Sequence, residues 1–142
     1  MDDSAGPSSA VTPPDQSGVR RLRLLVVDDQ EDIREIMVRM VARLGHEAVE
    51  AEDGQHAVEA LSADRFDVML LDLSMPRMTG EEVVRWLRDH PEVAPDLRIV
   101  VVSAWAGDKR PALHELGVDA VLPKPFRKQQ LVDLLDELST RT

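Results

Sequence analysis

The chain has 142 residues, 43% of them hydrophobic, which suits one domain around one core. Its 17 Lys and Arg against 27 Asp and Glu give a net charge of −10, arguing against direct nucleic acid binding and against attachment to an anionic membrane. The absence of cysteine excludes a disulfide framework, a zinc thiolate site and a thiol nucleophile, and no apolar run approaches the roughly 18 residues that cross a bilayer.

Residues 1–19, MDDSAGPSSAVTPPDQSGV, hold three acids, no Lys or Arg, and many Ser, Pro and Gly. A signal peptide would need a basic start and an apolar centre. The segment cannot bury enough apolar surface to offset its ordering entropy, so it is expected to be a disordered tail or linker. Residues 20–142 are the expected folded domain.

From Leu22 the chain alternates between short apolar runs and helical patterns. LRLLVVD (22–28) is almost wholly apolar, as a strand covered on both faces should be. Ile33, Ile36, Met37, Met40, Val41 and Leu44 then fall on one helical face, with Gly45 as the stop. HEAVEA (46–51) is a weaker strand, and GQHAVEALSAD (54–64) a helix burying Ala57, Val58 and Leu61. DVMLLD (67–72) is a strong strand. TGEEVVRWLRDH (79–90) is a helix in which Thr79 and Glu82 have the spacing of a capping box. LRIVVVS (97–103) is a strand, KRPALHEL (109–116) a short helix stopped by Gly117, and VDAVL (118–122) a short strand. RKQQLVDLLDEL (127–138) is a last helix with Leu131, Leu134, Leu135 and Leu138 on one face. Strict alternation of strand and helix calls for a parallel sheet with helices on both faces. Ligands of such sheets bind beyond the carboxyl ends of the strands.

The unusual polar residues all lie at those ends: Asp28, Asp29, Asp72, Ser103 and Lys124. An isolated buried carboxylate is costly to desolvate. Asp28 and Asp29 end the first strand and Asp72 the third, which are neighbours in a doubly wound sheet, so the three acids should converge and need a cation. Oxygen-only ligands favour Mg²⁺, Mn²⁺ or Ca²⁺ over zinc or copper, and few acids at an open sheet edge suit Mg²⁺, with Mn²⁺ as a substitute. Lys124 can hold a phosphoryl oxygen as a point charge and Ser103 can add a hydrogen bond. Metal, ammonium and hydroxyl around a carboxylate nucleophile describe a phosphoryl site. Taken singly, these features have plainer readings: an Asp pair as a helix cap, a capping serine, a surface lysine in a proline-bounded loop. His46, His56, His90 and His114 are scattered without metal-ligand spacing and read as solvated or structural.

VVDDQED, LLDLSMPRMTG, VVSAW and LPKPF, in that order and spacing, resemble the receiver domain of two-component response regulators over about residues 22 to 139. The resemblance implies a flavodoxin-like doubly wound five-stranded parallel sheet of order 2-1-3-4-5 with five helices. It implies Asp72 as the phosphoacceptor, served by a histidine kinase or a histidine phosphotransfer protein. Asp28 and Asp29 would hold Mg²⁺ with Asp72 and the backbone carbonyl of Ser74, while Ser103 and Lys124 would contact the phosphoryl group. The only chemistry implied is self-catalysed phosphorylation and dephosphorylation of Asp72, with a downstream protein or a fused output domain as the target and a homodimer as a further assembly. A cis Lys124–Pro125 bond is implied as well, and the absence of cysteine fits a cytoplasmic setting. Receivers commonly carry Tyr or Phe where this chain has Val121, and Trp105 stands where a side chain can shield the phosphoryl group. Lys109, Arg110, Arg127 and Lys128 form a basic patch, read as a solvated face or a partner surface.

Other functions fit less well. A small Mg²⁺ phosphatase of the haloacid dehalogenase type would show Asp-x-Asp after the first strand, where this chain has Asp28, Asp29 and Gln30. An FMN binder would need a Ser/Thr/Gly-rich loop there, and DDQED would repel the phosphate. A phosphorylation-independent binding module would not require all the key positions. The chain can be a stand-alone receiver or part of a longer regulator or hybrid kinase.

Overall fold

A computed structural model describes residues 21–73, 75, 78–104 and 110–140, with the side chains of Arg110, Ser139 and Thr140 excepted. The expected tail at 1–19, Ser74, Trp105 and Lys109 lie outside the described residues.

The strands are β1 (Arg23–Val27), β2 (Glu47–Ala51), β3 (Val68–Leu71), β4 (Arg98–Ser103) and β5 (Ala120–Pro123). They alternate with α1 (Glu31–Arg43), α2 (Gly54–Ala63), α3 (Gly80–Asp89), α4 (Arg110–Glu115) and α5 (Lys128–Thr140). All strand pairs are parallel, in the order β2-β1-β3-β4-β5. This is the expected doubly wound sheet, and it explains the unbroken apolar strands. Leu25, Val27, Met69, Leu71, Ile99 and Val101 face one core with α2, α3 and α4. The alternate residues Leu24, Val26, Val68, Leu70, Val100 and Val102 face a second core with α1 and α5. With helices on both faces, neither parity of side chain meets water. Each buried Leu or Val contributes about 1.5–3 kcal/mol.

The local signals act as read. Thr79 Oγ1 accepts from the Glu82 N–H and the Glu82 carboxylate accepts from the Thr79 N–H, closing the capping box of α3. Gly45 at φ 92° and Gly117 at φ 84° end α1 and α4. In both, paired carbonyl bonds close the last turn: Gly45 and His46 donate to Ala42 and Val41, and Gly117 and Val118 donate to His114 and Leu113. That arrangement needs a left-handed residue, which glycine adopts without a Cβ clash. His46 is buried, with Nδ1 accepting from the Leu22 N–H at 2.9 Å, and His90 stacks on Trp86.

Three details differ from the sequence reading. Ile36, placed on the apolar face of α1, is 56% exposed. The buried residues of α1 are Met37 and Val41, one turn apart, and Ile36 lies about 100° around the helix from Met37. Val58 is only partly buried, while Ala57 and Leu61 are fully so. β5 begins at Ala120 rather than 118 because Val118 closes the end of α4, and it runs on to Pro123, opposite Ser103. As an edge strand it tolerates a proline. Among the described residues no helix is long and apolar enough to cross a membrane.

Candidate functional site

β1 and β3 are neighbours in register, Val27 opposite Leu71, so the residues that follow them emerge side by side. The ladder continues one step past each strand: Asp28 N–H donates to Ala51 and Asp72 N–H to Val27. Asp28, Asp29 and Asp72 thereby offer carboxylate oxygens within 4.8 Å of one another. Asp28 and Asp72 are buried, Ser103 at the end of β4 is 1% exposed, and Asp29 lies open to solvent.

Lys124 enters from the far side of the sheet. Its N–H donates to the Ser103 carbonyl at 3.1 Å, and the bond to Pro125 is cis. Its Nζ lies 3.0 Å from Asp28 Oδ2 and 4.0 Å from Asp72 Oδ1. One ammonium against three carboxylates leaves the cluster net negative. Packed acids of like charge favour a divalent cation, and an all-oxygen donor set suits a hard one.

Asp28 does not cap α1. Gln30 holds the cap position, and Asp28 Oδ1 accepts its N–H at 2.9 Å. Val121 is partly buried against the α2–α3 core and stands opposite Val101. Arg127 and Lys128 are exposed. Lys109, the Arg110 side chain, the Ser74 carbonyl and Trp105 are outside the described residues.

Two supports escaped the sequence reading. Arg34 on α1 donates Nη1 to the Asp28 carbonyl at 2.7 Å and Nε to Glu50 at 2.8 Å. The other is Gly80, where α3 starts. A Cβ there would sit 2.4 Å from the Asp72 carbonyl oxygen and 2.8 Å from Leu73 Cα. The available signal was a glycine in the first turn of a helix already capped by Thr79, where helix propensity gives it no reason to be. Gly80→Ala is expected to lose at least about 2 kcal/mol, because backbone rather than a mobile side chain must yield. Urea denaturation measures this, and an unchanged midpoint would show that the loop after β3 relaxes freely.

The family model for the response regulator receiver domain matches residues 24–136. The response regulator MprA of Mycolicibacterium vanbaalenii is 38% identical over 122 residues, covering 85% of this chain and 52% of that protein. The chain thus spans about half the length of the curated relatives it matches. The response regulator TrrA of Thermotoga maritima, solved in complex with Mg²⁺-BeF, aligns with a TM-score of 0.73 at 29% identity, covering 82% of this chain and 98% of that one. The receiver domain of the sensor histidine kinase PA1611 of Pseudomonas aeruginosa, solved with a magnesium ion in its active-site cleft, aligns with a TM-score of 0.75 at 25% identity, covering 84% and 98%. Sheet order, an acidic cluster at the strand ends and a matching family model agree: this chain belongs to the response regulator receiver domain family, the phosphoacceptor module of two-component signalling.

Proposed function

We propose that Asp72 takes a phosphoryl group from a histidine kinase or histidine phosphotransfer protein, and that the residue set around it carries the transfer. The observation behind this reading is the convergence of Asp28, Asp29 and Asp72 within 4.8 Å, with Lys124 reaching across to them. Asp28, Asp29, Asp72 and the Ser74 carbonyl would hold Mg²⁺, or Mn²⁺ in its place. The donor chemistry fits, and TrrA and the PA1611 receiver carry magnesium. When bound, the ion supplies positive charge against the charge of the phosphoryl oxygens.

A carboxylate oxygen of Asp72 attacks phosphorus as the bond to the donor histidine breaks, and the leaving imidazole keeps its electron pair. Lys124 neutralises charge on the phosphoryl oxygens, and the Ser103 hydroxyl donates to one of them. Water later attacks the same phosphorus, which returns the Asp72 carboxylate and releases inorganic phosphate. The residues 20–142 act as the receiver unit, with 1–19 as a tail. Phosphorylation shifts the population of a partner-binding surface read by a downstream protein, a fused output domain or a second copy. The net charge of −10 supports protein rather than nucleic acid targets, and a cytoplasmic setting accords with the absence of cysteine.

Intact mass after incubation with acetyl phosphate tests the reading. One labile phosphoryl group is expected with Mg²⁺ and none with a chelator. No gain with Mg²⁺ present would favour a binding module that works without phosphorylation, and a gain that survives chelation would remove the metal from the scheme.

A further inference from the structure

Asp28 is held from three sides. Its Oδ1 accepts the Gln30 N–H at 2.9 Å, its Oδ2 lies 3.0 Å from Lys124 Nζ, and its backbone carbonyl accepts from Arg34 Nη1 at 2.7 Å. The third contact is the informative one. That carbonyl belongs to the peptide joining Asp28 to Asp29, so the contact restrains the backbone from which both side chains rise. A turn about ψ of Asp28 or φ of Asp29 that the other does not compensate would swing the Cα–Cβ bond of one acid relative to the other.

The Arg34 side chain is only 11% exposed, and its Nε donates to Glu50 at 2.8 Å. Glu50 lies on β2, opposite Val26 of β1. Glu50, the guanidinium and the Asp28 carbonyl therefore form a strut from β2 through α1 to the tip of β1. The α1 cap residue, Gln30, makes no side-chain cap bond. At the entry into the helix, the Gln30 N–H donates to Asp28 Oδ1. A planar guanidinium can serve a carbonyl and a carboxylate at once in fixed geometry, which a lysine ammonium on a flexible stem cannot.

We propose that Arg34 is a positioning residue for the divalent-cation site, holding the Asp28–Asp29 peptide so that the two carboxylates face Asp72 together. The inference rests on the proposed cation role of the acidic cluster and adds the residue that sets its geometry. Arg34, itself a cation, supplies no ligand atom and acts through the Asp28 carbonyl. Losing such outer support typically weakens metal affinity about 10- to 100-fold.

The test is calorimetric titration of Mg²⁺ alone into the whole chain and its Arg34→Gln, Arg34→Lys and Glu50→Gln variants, with melting temperatures measured without metal. The Mg²⁺ dependence of phosphorylation by acetyl phosphate gives a second readout. Arg34→Gln is expected to raise the Mg²⁺ dissociation constant and the Mg²⁺ concentration for half-maximal rate by about tenfold or more, with the rate at saturating Mg²⁺ close to wild type. Arg34→Lys should keep the melting temperature yet recover only part of the affinity, and Glu50→Gln should weaken affinity less than Arg34→Gln. Should Arg34→Gln fail to fold, the Lys and Glu50 variants decide. A lowered melting temperature with unchanged Mg²⁺ affinity in the variants would overturn the inference, leaving Arg34 a simple strut. Wild type that binds no Mg²⁺ would instead overturn the underlying reading of the site.

Discussion

Asp72→Asn is expected to take up no phosphoryl group from acetyl phosphate under conditions in which wild type gains one. The proposed acceptor, Asp72, stands at the end of β3 beside Lys124. Both carboxylate oxygens of Asp28 are engaged, one by the Gln30 N–H and one by Lys124, and Asp29 is open to water. Asp72 is buried at the end of β3, with Oδ1 4.0 Å from the ammonium that would meet the incoming charge. An asparagine amide fills the same space but is a far weaker nucleophile. The variant should therefore fold, and without metal it should be as stable as wild type or slightly more so, since one of the carboxylates crowded within 4.8 Å loses its charge. Mass spectrometry of the intact chain and of its fragments checks both parts. A phosphoryl group on Asp28 or Asp29 in the variant would mean that the acceptor was misassigned.

Lys124→Ala should act in opposite directions on metal binding and on transfer. Lys124 is the charge partner of Asp28, whose side chain is 1% exposed, and its own side chain is 19% exposed. Breaking a buried ion pair costs about 3–5 kcal/mol, and the partial exposure here reduces that to about 2–3 kcal/mol. Magnesium should restore much of the loss, because it binds only the folded site; at one hundred times its dissociation constant it contributes about 2.7 kcal/mol. The variant should also bind Mg²⁺ more tightly than wild type, since no ammonium competes for Asp28. Phosphorylation at saturating Mg²⁺ should nonetheless fall by about 10²–10³-fold, the range for removing one electrostatic contact to the transition state. Denaturation with and without Mg²⁺, beside phosphorylation rates, separates these effects. Unchanged stability and unchanged rate would together remove Lys124 from both roles.

Which features were legible depended on their range along the chain. The stops at Gly45 and Gly117 and the capping box at Thr79 were readable because their bonds close within a few residues. The apolar strands were readable because two covered faces leave no polar parity. Ile36 misled because a helix stripe read from periodicity has no fixed width. Only the packing against β1 and β2 showed that Met37 and Val41 mark its centre.

By itself the sequence determined a chain of alternating strands and helices, the parallel sheet that follows, and the clustering of Asp28, Asp29, Asp72, Ser103 and Lys124 at one edge. These follow from local hydrogen bonding and from the period of apolar residues. Tertiary structure alone decided that Lys124 reaches Asp28 across 96 positions, that Arg34 grips the Asp28–Asp29 peptide, and that Gly80 leaves no space beside the Asp72 carbonyl. Such contacts arise where strand register, sheet twist and helix packing bring distant residues within a few ångströms, and no local pattern encodes that distance.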